Sequence, residues 1–137
     1  MGKVLITEIQ VRFADGDTLG HINNINLQHY FDLGKMEFYR KVMNKTIEAD
    51  NESLILASTY TDYYMQSQLY DRLAVETRVE KIGTKSVTFT QDLVNMDTGS
   101  VNAHCRTVAV AFNFDTQQTF ELKPEWRAAL AEYLIEE

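Results

Sequence analysis

One long helical stripe constrains the fold of this chain more than any other feature. Its residues recur at the spacing of a helix, and they are Leu27, Tyr30, Phe31, Gly34, Phe38 and Val42. This period is typical of a helix that buries one face. Gly34 lies on that face, where glycine costs about 1 kcal/mol relative to alanine. A glycine there predicts that another element, such as a sheet, packs very close to the helix backbone.

Five segments with strand character surround the helix. A first strand is predicted over 3–13, and four more over 54–65, 73–82, 86–94 and 101–114. Gly83–Thr84 and Asp97–Gly99 mark tight turns between consecutive strands. Pro124 predicts the start of a short final helix that runs through Leu134. An antiparallel sheet of about five strands that covers one central helix is an α+β arrangement.

The last strand raises the question of a partner subunit. Residues 108–112 are apolar on both faces, which is typical of a central strand or of one buried by a second copy. We therefore expect the sheet face away from the helix to carry apolar side chains. Such a face predicts a homodimer.

Composition limits the class of protein further. The chain has 137 residues, of which 45% are hydrophobic and 24% are charged, so a single domain over 1–137 is expected. Its net charge of −7 disfavours nucleic acid and anionic membranes as partners. No apolar run approaches the length of a membrane span. Cys105 is the lone cysteine, which excludes an intrachain disulfide and fits the cytoplasm, the expected location.

The turn that leads into the long helix concentrates polar side chains. Residues 17–24 read Asp-Thr-Leu-Gly-His-Ile-Asn-Asn, and either asparagine suits the N-cap position. A helix start offers unpaired N–H groups and a partial positive charge. A carboxylate beside such donors can act as base or nucleophile while they polarise a carbonyl, which is a layout for acyl transfer. The local pattern is also typical of a turn aspartate that bonds nearby backbone N–H groups, and that alternative stays open.

Three segments carry a resemblance to a known family. They are Val11-Arg-Phe13, then Asp17-x-x-Gly20-His21-Ile22-Asn23-Asn24, then Tyr30-Phe31-Asp32-x-x-Lys35-x-Glu37-Phe38. Together with the order of elements, they resemble the hot-dog fold and its 4-hydroxybenzoyl-CoA thioesterase-like family of acyl-CoA thioesterases. The chain has Leu27 where that family often has tyrosine, so the resemblance does not name the acyl group.

The resemblance implies an enzyme that hydrolyses an acyl-CoA thioester to a carboxylic acid and free CoA. No metal and no redox cofactor is implied. Asp17 would be the catalytic base or nucleophile, and the backbone N–H of Asn24 would stabilise the oxyanion. Asn23 would orient the water or the carbonyl, or act as the N-cap. His21 would bond Asp17 or hold the loop.

The same resemblance suggests how the acyl-CoA substrate is held. Gly20 would supply an unusual backbone conformation or let the acyl chain approach. Leu27 and Tyr63 would shape the acyl pocket. Lys81 and Lys85 are candidates by their charge alone, among the basic side chains that would meet the CoA phosphates. One sheet and one helix enclose little volume, so the site is expected at the interface of a homodimer or of a tetramer.

Other interpretations involve different residues. Asp32 and Glu37 lie on the helix, where another hot-dog thioesterase clade has its working carboxylate, although paired surface carboxylates are the commoner outcome. His29 and His104 lack ligand-like spacing to His21, so no metal site is predicted. Cys105 is expected in the core. A catalytically idle acyl-CoA-binding protein is the alternative function, and a hot-dog dehydratase is a weaker one.

Overall fold

The computed structural model describes residues 2–44 and 51–135 and shows an α+β fold with one long helix on an antiparallel sheet. The elements, in chain order, are β1 Leu5–Ile9, α1 Asn24–Lys41, β2 Glu52–Tyr63, β3 Leu73–Ile82, β4 Ser86–Asn95, β5 Val101–Asn113, β6 Gln118–Thr119 and α2 Pro124–Ala131. The predicted hot-dog arrangement is therefore confirmed. The two-residue β6, which pairs with β5, was not expected.

The sheet runs in the order β1-β3-β4-β5-β2, and every pairing is antiparallel. The hairpins β3–β4 and β4–β5 form as the glycine turns predicted. β5 then returns against β2, which forms one edge of the described sheet, with a bulge between Leu56 and Ser58. The end of the sheet that carries Leu73 and Tyr63 lies close to the start of α1, because β2 leads there into the segment that contacts Ile22.

The helix packs chiefly on β1, β3 and β4 and leaves the inner face of β2 largely uncovered. Phe31 and Phe38 are its most deeply buried large side chains, at 2% and 0% exposure. On β2, by contrast, Thr59 and Tyr63 are exposed. On the face that carries the helix, α1 therefore covers β1, β3 and β4. An open furrow runs between α1 and β2 on the same face.

Gly34 marks the closest approach of helix and sheet. A Cβ atom at this position would lie 2.7 Å from Val75 Cγ1 and 2.9 Å from Gln91 Nε2. The Gln91 amide also donates to the carbonyl oxygen of Phe31 at 2.9 Å, which holds the helix at this distance. The close packing predicted from glycine on an apolar stripe is thus confirmed.

Replacing Gly34 by alanine is expected to lower the free energy of unfolding by up to about 2 kcal/mol. Overpacking a filled core costs roughly 1–3 kcal/mol, and the better helix propensity of alanine returns about 1 kcal/mol. Urea denaturation measures the change, with His29→Ala on the exposed side of the same helix as the control. A more stable Gly34→Ala variant would show that Val75 moves aside freely.

The boundaries of two elements differ from expectation. The first strand ends at Ile9, and a 3₁₀ turn forms at Phe13–Asp15. Asp15 accepts hydrogen bonds from the backbone and the side chain of Arg12, which curls the chain. Phe13 is consequently 87% exposed, and the strand predicted over 3–13 does not extend to it.

The final helix also ends earlier than predicted. It ends at Ala131, and Leu134 forms a bridge with Val79 instead. The sequence also predicts that Asn44 and the polar residues 48–53 end the long helix, and of this stretch residues 45–50 lie outside the described residues.

The outer face of the sheet carries both charged groups and apolar side chains. Arg78 lies 3.8 Å from Asp92, and Asp92 lies 2.6 Å from His104 Nδ1. Further along β5, Val108 and Val110 alternate onto the same face as His104, and both are partly exposed. The apolar side chains predicted on this face are therefore present along β5, beside a charged cluster on β3 and β4.

Candidate functional site

A cleft of about 400 Å³ opens where α1 begins. Two segments and the helix start form its walls, and its lining residues are Asp17, Ile22, Asn23, Asn24, Leu27, Tyr63, Tyr64, Met65, Gln66 and Ser67. The structure therefore brings together five of the residues that the sequence singled out, namely Asp17, Asn23, Asn24, Leu27 and Tyr63. It places them at one end of the sheet, at the mouth of the furrow between α1 and β2.

The Asp17 carboxylate is held by its own loop. Its Oδ1 accepts hydrogen bonds from the backbone N–H groups of Leu19 at 2.8 Å and His21 at 3.0 Å. The Asp17 N–H donates to the carbonyl oxygen of His21 at 2.7 Å. Asp17 is exposed and also lines the cleft. It thus combines the geometry of a turn aspartate with access to a bound ligand.

Gly20 permits this loop through its backbone conformation. Its φ is +79°, a region that side-chain-bearing residues rarely adopt. A Cβ atom there would meet nothing within 4 Å, and the residue does not line the cleft. Of the two roles considered for Gly20, the structure supports the unusual conformation and not a close approach to the acyl chain.

The start of α1 provides donors toward the cleft. Asn23 is the N-cap, and its Oδ1 accepts from the N–H of Ile25 at 2.8 Å. The backbone N–H of Asn24, the next residue, has no acceptor in the described part of the chain. An unpaired N–H at a helix start, with the helix dipole behind it, suits a developing negative charge. The capping and donor roles therefore fall on two consecutive residues.

The opposite wall is the segment that follows β2. The N–H groups of Tyr64 and Met65 donate to the carbonyl oxygen of Asn102, at 2.8 and 3.0 Å. The Asn102 side chain, 2% exposed, donates to Ser67 Oγ at 2.9 Å. The carbonyl oxygen of Ser67 in turn accepts from Ile22 N at 2.7 Å, which joins the two walls. No local sequence pattern indicates these contacts, because they link residues far apart in the chain.

Asp15, only two residues before Asp17, has a different environment. It is 1% exposed, and its carboxylate accepts from Arg12 and from the Tyr30 hydroxyl at 2.6 Å. Burial opposes its ionisation, but the hydrogen bonds from Arg12 and Tyr30 outweigh that effect and hold the pKa of Asp15 at about 2. Its carbonyl oxygen accepts from Asn23 N at 3.0 Å. Asp15 thus anchors the site loop to α1.

The pKa of Asp15 predicts a specific loss of stability in acid. Its folded value of about 2 lies below the ordinary 3.8, so the ionised group stabilises the fold above pH 3.8. That stabilisation falls as the pH drops from about 4 toward 2. Urea unfolding at pH 6 and pH 3 is expected to show a steeper acid dependence for the wild type than for Asp15→Asn. Parallel pH profiles for the two proteins would contradict the assignment.

Several candidate residues lie away from the cleft. Lys81 and Lys85 lie near the β3–β4 turn, at the end of β3 opposite to the site, and neither lines the cleft. Eight residues of strand separate Lys81 from Leu73 at the site end, about 26 Å. These lysines therefore do not contact the cleft within one protomer, and their role in binding the CoA phosphates stays a prediction. His21 contributes backbone bonds to the loop but does not line the cleft.

The rival residues have structural partners. Asp32 lies 3.5 Å from Lys35 Nζ, and Glu37 accepts from Arg40 Nε at 2.8 Å, so both helix carboxylates are paired. Cys105 is buried at 2% exposure. Within residues 2–44 and 51–135, no three His, Cys, Asp or Glu side chains are grouped closely enough to hold a metal ion. Neither described helix has the length and hydropathy needed to cross a membrane.

Comparison with known proteins gives a fold and a family. A structure described as a predicted thioesterase from Bacillus stearothermophilus superimposes with a TM-score of 0.86 at 27% identity, covering 98% of this chain and 99% of that one. The Staphylococcus aureus protein SAV2348, solved in complex with CoA, superimposes with a TM-score of 0.84 at 15% identity, covering 97% and 85%. The second likeness, at such low identity, shows the fold alone.

A curated relative and a family model complete the comparison. The uncharacterised protein YsmA of Bacillus subtilis is 28% identical over 81 residues, 59% of this chain. The aligned part spans about half of that relative's length, 54%. The family model described as the thioesterase-like superfamily matches residues 11–130, which include the cleft and nearly all of the sheet. The chain therefore belongs to the thioesterase-like superfamily.

Proposed function

We propose that this protein is an acyl-CoA thioesterase that hydrolyses an acyl thioester to a carboxylic acid and free CoA. One observation carries the proposal: the Asp17 carboxylate and the unpaired N–H of Asn24 line the same cleft. A carbonyl group placed between them would meet a base or nucleophile and an oxyanion donor together. Family membership supports thioester hydrolysis as the general chemistry.

Asp17 would act on the thioester in one of two ways. As a base, it takes a proton from a water whose oxygen attacks the carbonyl carbon. As a nucleophile, it attacks that carbon itself, and water then cleaves the resulting anhydride. In both routes the C–S bond breaks and the thiolate leaves and takes up a proton. Only Oδ1 of Asp17 is occupied by hydrogen bonds among the described residues, which leaves Oδ2 for this chemistry.

The start of α1 would stabilise the charge that develops on the thioester oxygen. One such backbone donor is typically worth about 3 kcal/mol in the transition state. Asn24 N–H is the donor of choice, because Ile25 N–H is already paired with the Asn23 side chain. Asn23 would therefore serve chiefly as the N-cap that fixes the direction of this first turn. His21 would position Asp17 through its backbone N–H.

The acyl-CoA site would be completed by a second copy of the chain. The edge strand β2 exposes Leu56 and Tyr60, and the segment after it exposes Tyr64 and Met65, each more than half exposed. An edge strand with exposed apolar groups favours pairing with another chain. A homodimer that continues the sheet through β2 would cover this surface and form a further wall of the cleft. Lys81 and Lys85 would then contribute to phosphate binding only if an assembly brings them to a neighbouring cleft.

A panel of short, fatty and aromatic acyl-CoAs, with detection of the released thiol, tests the proposal. We expect turnover of at least one substrate. The alternative is a catalytically idle acyl-CoA-binding protein, which is favoured by the turn-aspartate geometry of Asp17. Binding of acyl-CoA by calorimetry without any release of thiol would support that alternative and contradict the enzyme. Light scattering on the same sample gives the oligomeric state.

A further inference from the structure

A side-chain bridge crosses the furrow between α1 and β2 just beyond the cleft. The Gln28 side-chain amide donates to Thr61 Oγ1 at 2.6 Å and to the Tyr63 hydroxyl at 3.0 Å. Thr61 and Tyr63 face the helix, because their partners on β5, Cys105 and Ala103, are both buried in the core. The bridge therefore joins the helix to the edge strand that the helix otherwise leaves uncovered.

The bridge lies on the path that an acyl chain would follow. Gln28 is four residues after Asn24 and on the same side of the helix, about 6 Å further along its axis. Tyr63 itself lines the cleft. A chain that starts with its carbonyl at Asn24 and extends along α1 would therefore meet the Gln28 side chain after a short distance.

The surface beyond the bridge is unfavourable for a hydrocarbon chain. The inner face of β2 and β5 there carries Thr59, Cys105 and Thr107, whose oxygen and sulfur atoms lie 3.3–3.6 Å from one another. An alkyl chain that reached them would have to break the Gln28 hydrogen bonds and cover hydroxyl groups. Polar groups that lose their partners on burial oppose such binding.

We propose that Gln28, through its bridge to Tyr63 and Thr61, is a specificity-determining residue that limits the substrates to short acyl groups. This inference rests on the proposed thioesterase function. It identifies the substrate class as short-chain acyl-CoA. The bridge itself takes no part in the bond-breaking step.

The test compares kcat/KM for butanoyl-, octanoyl- and dodecanoyl-CoA. The wild type is expected to favour butanoyl-CoA over dodecanoyl-CoA by at least about 10-fold, the scale of discrimination that pocket contacts supply. Gln28→Ala is expected to raise the dodecanoyl-to-butanoyl ratio at least about 10-fold, since it opens the furrow. Tyr63→Phe, which removes one acceptor and keeps the ring, is expected to raise it less. Gln118→Ala, on exposed β6, is the matched control and should leave the ratio unchanged.

The outcomes separate this inference from the proposed function. Equal wild-type activity on all three substrates, or an unchanged ratio in folded Gln28→Ala, overturns the inference while the enzyme stands. If Gln28→Ala melts at a much lower temperature than the wild type, the dodecanoyl-to-butanoyl ratio of Tyr63→Phe decides instead. If the wild type releases no thiol at all, the proposed function fails. Dissociation constants for the same acyl-CoAs then decide the inference, supporting it only if Gln28→Ala relaxes the preference for short chains.

Discussion

Asp17→Asn is expected to lower kcat by about 10²–10⁴-fold, the range that a positioned base contributes. The loss will be greater if the carboxylate attacks the thioester directly. The fold should survive, because the asparagine side-chain oxygen can still accept from the N–H groups of Leu19 and His21. Release of free thiol from the best acyl-CoA measures the change, with the melting temperature as evidence of folding.

The matched control for Asp17 is another exposed carboxylate. Asp32→Asn removes a helix carboxylate that is paired with Lys35, and it should leave kcat within about 2-fold, since surface ion pairs contribute little. Asp17→Ala, by contrast, also removes the acceptor of the two loop hydrogen bonds and tests the turn role. Near wild-type turnover in folded Asp17→Asn would contradict the catalytic assignment. A large loss of kcat in Asp32→Asn would instead assign the catalytic role to the helix carboxylate.

Asp15→Ala is expected to be the most destabilising substitution in the site loop, with a loss of about 3–5 kcal/mol in the free energy of unfolding. The hydrogen bonds that this buried carboxylate accepts from the Tyr30 hydroxyl and the Arg12 backbone contribute roughly 1.5–3 kcal/mol each, whereas the Arg12 side chain is 67% exposed and regains water. The Tyr30 hydroxyl, on a residue 6% exposed, would lose its acceptor, and the Arg12 guanidinium would lose its carboxylate. Urea denaturation at neutral pH measures the change through its midpoint.

An exposed ion pair provides the comparison for Asp15. Asp97 lies 2.9 Å from Arg72 Nη1 with both side chains more than half exposed, so Asp97→Ala should cost no more than about 1 kcal/mol. The loss of stability in Tyr30→Phe should fall between those of Asp15→Ala and Asp97→Ala, because the substitution deletes the hydroxyl together with its need for a partner. Similar unfolding midpoints for Asp15→Ala and Asp97→Ala would contradict the anchoring role of Asp15.

Local patterns in the sequence were enough to predict the elements but not their packing partners. The α1 stripe, the glycine turns of the sheet and the N-cap next to Asp17 are short-range signals, and each led to a correct element or boundary. The role of Asp15 depended on Tyr30, fifteen residues away on the helix, so it was not foreseen. The 3₁₀ turn that shortened the first strand follows from that same anchoring.

The site was predicted only as far as its motif extended. Residues 17–24 identified the loop and the helix start, whereas the wall at residues 64–67 depends on Asn102, which no local pattern connects to it. Lys81 and Lys85 were assigned by charge alone, and charge does not reveal at which end of a strand a residue lies. Gln28 was missed because its partners are 33 and 35 residues further along the chain.

Because α1 packs toward one side of the sheet, the residues of this fold are under two different constraints. Residues beneath the helix on β3 and β4 determine whether the polypeptide folds, so substitutions there are tolerated only at constant volume. Residues that border the cleft end of β2, such as Gln28 and Tyr63, lie outside the buried core and can be replaced at a smaller cost in stability. Such a division lets the residues that line the cleft change without first requiring compensating changes in the core.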